Sequence, residues 1–125
     1  LANSYVPQVT MPLVSASTQI NDHTGRPLLQ SPHVGQTVNF NSMISSKYQN
    51  SQKISYIVQI KDSNNKVVFL KWLDSSVVNL STTNTSISWV PVLPGIYSAE
   101  VYIWNGMDSL VPLTDQSQYK IQILP

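Results

Sequence analysis

The stretch Ile54-Ser55-Tyr56-Ile57-Val58-Gln59-Ile60-Lys61 sets Ile54, Tyr56, Val58 and Ile60 against Ser55, Ile57, Gln59 and Lys61. A two-residue period marks a pleated strand with one buried face, because successive side chains leave a strand on opposite sides. Asp62-Ser63-Asn64-Asn65-Lys66 follows and reads as a tight hairpin connection, since Asn tolerates the positive φ such turns require. Val67 to Leu73 is then the returning strand.

The same alternation recurs on both sides of this hairpin. Val14 to Ile20 opens the body, and the turn signal Asn21 to Pro27 ends it. Val38, Phe40, Ser42 and Ile44 alternate with polar residues, and Lys47 to Lys53 reads as a polar loop. A Ser/Thr/Asn-rich bridge leads to Ser86-Ile87-Ser88-Trp89-Val90, which Pro91 closes because it cannot donate to a ladder. After Pro94-Gly95, Tyr97, Ala99, Val101 and Ile103 face one way, with Ser98, Glu100, Tyr102 and Trp104 facing the other. Tyr119, Ile121 and Ile123 mark the last strand. About seven strands with turn signals every ~8–12 residues fit an all-β Greek-key sandwich, and a closed barrel satisfies the same pattern.

Composition agrees. Among 125 residues, Ser, Thr, Asn and Gln number 46, while Ala (3) and Glu (1), which fill exposed helix faces, are scarce. The length suits one domain, divided as an N-terminal arm (1–13) and a sandwich (14–125). A net charge of +1 gives no footprint for nucleic acid, and no apolar run approaches the ~20 residues that insert into a membrane. The absence of cysteine removes disulfides and thiolate chemistry but leaves the compartment open. Leu1 in place of Met points to a processed protein or an excised domain. The 13 charged side chains are unevenly spread: up to Ser46 only Asp22 and Arg26 are charged, and Ser75 to Ala99 has none. Bare β-edges without charged gatekeepers are aggregation hazards, so a glycan or a neighbour is expected there.

Pro94-Gly95-Ile96-Tyr97, followed by Val101, resembles the tyrosine corner of immunoglobulin-like domains. Further landmarks are Val34-Gly35-Gln36-Thr37-Val38, Tyr56 to Asp62, Ser88-Trp89-Val90-Pro91, and Val101-Tyr102-Ile103-Trp104-Asn105 with Pro112-Leu113. Together they resemble the immunoglobulin-like, CARDB-type modules of archaeal secreted and surface proteins. The resemblance implies a single immunoglobulin-like sandwich, a role for Tyr97 at the corner, and an extracellular, cell-surface, non-catalytic module. It departs from antibody domains in having no cysteine pair, and Trp72 lies outside the strand that would hold a core tryptophan.

Candidate chemistry is sparse. His23 and His33 stand beside turn residues with no partner at metal-ligand spacing, so no metal, cofactor or catalytic residue is assigned. None of the serines sits in a strained Gly-x-Ser-x-Gly elbow. Most aspartates fall at turns, and Glu100, mid-strand beside Val101, is expected to be solvated on the outward face. Tyr102 and Trp104 share that face, with Trp72 a candidate neighbour; such aromatics stack on sugars, meet a partner, or lie under a loop. Asn79-Leu80-Ser81 and Asn84-Thr85-Ser86 are candidate glycosylation sequons in a stretch that reads as loop.

In the arm, Val6, Val9, Met11 and Leu13 are the candidate assembly residues. Val9, Met11 and Leu13 alternate with Gln8, Thr10 and Pro12, a pattern suited to adding a strand to a sheet edge, its own or another subunit's. The leading expectation is therefore a structural module, a filament or surface-layer subunit that self-associates or meets other surface proteins by strand donation. The alternative is a carbohydrate-binding or adhesive accessory domain.

Overall fold

The computed structural model describes residues 14–78, 80–108 and 111–125. The arm lies outside the described residues, as do Asn79, Ser109 and Leu110. Seven strands follow in order: β1 (Val14–Asn21), β2 (Val38–Ser46), β3 (Gln52–Lys61), β4 (Val67–Val77), β5 (Thr82–Trp89), β6 (Gly95–Trp104) and β7 (Ser117–Ile123). They form two antiparallel sheets, ordered β1-β2-β5 and β4-β3-β6-β7. The chain crosses between sheets after β2, β4 and β5 and otherwise stays within one by hairpin, the Greek-key sandwich expected from the alternation. The two-sheet order, with four different edge strands, settles the barrel alternative: the sheets do not close.

The core is built from the alternating sets. Ile54, Tyr56, Val58 and Ile60 of β3 face Val38, Phe40 and Ile44 of β2, and Ala99, Val101 and Ile103 of β6 complete the layer. Trp89 meets Tyr97 edge-on, with ring centroids 5.1 Å apart. The Tyr97 hydroxyl donates to the Leu93 carbonyl at 2.7 Å, the bond that defines a tyrosine corner. Where antibody domains join their sheets with a disulfide, this core carries a polar bridge. The Tyr56 hydroxyl, fully buried, lies 2.8 Å from Ser42 Oγ on the opposite sheet and donates to the Phe40 carbonyl at 3.3 Å. Ser42 Oγ in turn lies 2.7 Å from Thr18 Oγ1.

The hairpin turn forms for the expected reason. Asp62 Oδ1 accepts from the amides of Asn64 (2.9 Å) and Lys66 (3.0 Å), and Asn65 takes φ 65°. Asp22 Oδ1 caps the β1–β2 loop likewise, accepting from Thr24 and Arg26 amides.

Three expectations are corrected. β4 runs to Val77 rather than Leu73, because it is exposed on both faces and so carries no alternation to mark its end. β5 begins at Thr82 rather than Ser86, since the ladder to β2 starts at Ser45↔Thr82 and the Thr side chains, not apolar ones, turn inward. The bridge is thus half strand. Asn84 accordingly sits mid-strand opposite Met43, exposed, and not in a loop.

Candidate functional site

Register across the four-stranded sheet builds an aromatic row on its outer face. Ile57 pairs with Trp72 on one side and Tyr102 on the other, so β3 places the two aromatics in one cross-strand row. In the next row Ser55 lies between Asp74 and Trp104, and its hydroxyl donates to Asp74 Oδ1 at 2.6 Å. The Tyr102 and Trp104 rings are tilted, with centroids 5.6 Å apart. Trp72 is exposed, whereas Tyr102 and Trp104 are half-buried. The backbone bridge from Trp104 to Pro112 brings the β6–β7 loop against Trp104.

The row beyond holds Leu70, Gln59, Glu100 and Gln118. Glu100 is on the outward face as expected, but it is only 8% exposed rather than solvated. Gln59 Nε2 donates to Oε1 (2.8 Å), Gln116 Nε2 to Oε2 (3.0 Å), and Lys61 Nζ stands 3.4 Å away. Burial pushes the carboxyl up, but these three partners outweigh it and hold Glu100 below the usual carboxylate range. Burial, then the Glu100 charge, pushes the Tyr102 phenol up.

A second surface was not legible in the sequence. Of the fourteen exposed large apolar side chains among the described residues, eight lie on β4 or on the β5–β6 turn: Val67, Val68, Leu70, Trp72, Leu73, Val90, Val92 and Leu93. Where the two elements meet, Val68, Phe69, Trp89 and Tyr97 line a notch of about 250 Å³ with the turn residues. β4 is also an outer strand, with no ladder on its far side among the described residues.

The polar candidates do not assemble into a reactive set. Asp22, His23 and His33 border one open depression of about 470 Å³, but Asp22 is engaged in its loop cap and His33 Nδ1 lies 3.0 Å from the Pro125 carbonyl. Among the described residues no group of His, Cys, Asp or Glu could hold a metal, and no hydrogen bond joins a serine to a histidine. No described helix is long and apolar enough to cross a membrane.

No protein-family model and no curated protein sequence matches the chain. Among solved structures, the CARDB domain of a Pyrococcus furiosus protein, crystallised with di-metal ions, aligns over 99% of this chain and 100% of its own at 11% identity, TM-score 0.60. The C-terminal domain of Wzt aligns over 92% of this chain and 75% of its own at 14% identity, TM-score 0.66. A Bacteroides uniformis β-glucuronidase aligns over 87% at 14% identity, TM-score 0.63, and this chain spans only 13% of that enzyme's length. At such identities the likeness is one of architecture alone. The chain has the immunoglobulin-like β-sandwich fold that the CARDB domain shares.

Proposed function

We propose that this chain is a non-catalytic, extracellular structural module that assembles with copies of itself through its N-terminal arm. The observation that carries this reading is the concentration of exposed apolar side chains on β4 and the β5–β6 turn. An apolar outer strand with no ladder on its far side among the described residues suits a protein partner better than a small substrate. Asp22 and His33, both engaged in loop contacts, support the non-catalytic part. The extracellular part rests on the resemblance to CARDB-type surface modules. Asn84, exposed on the outer face of the three-stranded sheet, would carry a glycan on the side turned away from the four-stranded sheet. Sedimentation of the full chain, against a chain lacking residues 1–13, tests assembly. Concentration-dependent association lost with the arm is expected; equal association of both overturns the arm's role.

The aromatic row favours a second reading, a saccharide-binding face on which Trp72 and Tyr102 stack against sugar rings while Asp74 meets hydroxyls. Glycan-array binding that is lost in Trp72→Ala and Trp104→Ala would support it. Binding unchanged in both would remove it.

A further inference from the structure

We infer that the acceptor for the arm is the free edge of β4 on a second copy, where residues 9–13 add a fifth strand to the four-stranded sheet. This deepens the assembly reading and rests on it. The other outer strands are more polar. β7 exposes Gln118, Lys120 and Gln122, and β1 exposes Ser15, Ser17 and Gln19, while loop residues Pro32, Val34 and Leu28 bond only at or beyond the strand ends. β5 presents Thr82, Asn84, Ser86 and Ser88, whereas β4 exposes Leu73 at 37% on its inner side and Leu70 at 50% and Trp72 at 46% on its outer side.

Chain reach identifies the occupant as a second copy. Val14 begins β1 at one lateral side of the sandwich, and β4 lies at the other, beside β5. Crossing between them spans two strand spacings, from β1 past β2 to β5, and one sheet spacing, roughly 14 Å. Leu13 adjoins Val14 and Met11 lies three residues from it, a reach of about 10 Å that falls short of the crossing. These residues therefore cannot run along β4 of their own copy, but they can meet that edge on a neighbour whose β4 lies beside Val14.

Backbone chemistry fixes the pairing. Pro7 and Pro12 lack amide donors and are separated by an odd interval, so they face opposite sides of an extended chain. Pairing through residues 9, 11 and 13 turns Pro12 away from the acceptor and leaves Pro7 as the stop. Val9, Met11 and Leu13 then share one face, and on the inner side of β4 they cover Phe69 and Leu73 and reach the notch at Val68. Residues 1–13 carry no charge, so Lys71, at the middle of the edge, meets no like charge.

The cysteine-free chain makes the test direct. Differently tagged full-length chains carrying Met11→Cys and Leu73→Cys are mixed and mildly oxidised. A mixed disulfide dimer should dominate, and it should fall to background when Leu73→Cys is replaced by Gln118→Cys on β7 or Ser17→Cys on β1. Leu73→Lys on an otherwise native chain should abolish association by sedimentation with its circular dichroism unchanged. Association that persists with cross-links distributed equally over β1, β7 and β4 overturns the acceptor and leaves the assembly reading intact. A full chain that stays monomeric at every concentration overturns both.

Discussion

Replacing Tyr56 by Phe removes one oxygen from the centre of the sandwich. That oxygen contacts Ser42 Oγ at 2.8 Å and the Phe40 carbonyl at a longer 3.3 Å. Ser42 keeps Thr18 at 2.7 Å, so no partner is orphaned and the loss is about one buried hydrogen bond, ~1–1.5 kcal/mol. Ser42→Ala instead leaves the buried phenol with only its long bond, and costs ~1–2 kcal/mol. Because both changes remove the same contact, the double variant should fall short of the sum by ~0.5–1.5 kcal/mol. Urea denaturation followed by tryptophan fluorescence measures all three. A second signature follows from titration. Burial, against the Ser42 bond and with Tyr119 nearby, pushes the phenol from 10.0 to about 12. A raised folded-state value means that stability is complete below the unfolded value and lost as pH rises towards the folded one. Between these values the native chain should lose up to about 3 kcal/mol that Tyr56→Phe does not lose, at ~1.4 kcal/mol per pH unit. Additive single changes, or parallel alkaline profiles, would refute the inter-sheet bridge.

Three further outcomes are expected. Glu100 is held low by Gln59, Lys61 and Gln116 against its burial, so its contribution is present above the ordinary carboxylate value and lost as pH falls through the lower folded one. Denaturation curves of native and Glu100→Gln chains should therefore converge in acid, and a constant offset from neutral to acid pH counts against this. Gly95→Ala should cost ~1–3 kcal/mol in thermal unfolding, because φ 148° is a region open essentially to glycine, while the added Cβ would meet the Tyr97 ring only at an ordinary 3.9 Å. Asp62→Ala should cost ~1–2 kcal/mol through the lost Asn64 and Lys66 amide bonds, with Asp115→Ala, which caps no turn amide, as the near-neutral control.

What the sequence revealed depended on how much of each strand's environment was local. β3 and its turn were legible because Ile54 to Ile60 alternate and Asp62 caps the very next residues. β6 was legible for the same reason through Tyr97 to Ile103. The first half of β5 was not, because Thr83 and Thr85 turn inward without an apolar signature. Glu100 read as solvated since its partners lie far away in the chain: Gln59 is 41 residues distant and reaches it only through the β3–β6 register. Likewise, Trp72 and Tyr102 share a row only because β3 stands between them, a fact that no spacing within either strand encodes.

The uneven charge distribution acquires a physical meaning from this topology. Within the uncharged run from Ser75 to Ala99, β5 itself is sheltered: it is laddered to β2, Trp89 is buried, and its exposed side chains are hydroxyls and an amide, whereas Val90, Val92 and Leu93 of the following turn stay open. Hydroxyls at an edge stay hydrated and offer little to a second apolar strand. β4 inverts that arrangement. It does carry charge, at Lys71 and Asp74, but these interrupt a strand whose neighbours Leu70, Trp72 and Leu73 remain open. An inward Lys at the middle of an edge discourages indiscriminate pairing without closing the edge to an uncharged strand. Gatekeeping at β4 is therefore selective, and the segment best suited to pass it is the uncharged, alternating stretch that precedes Val14.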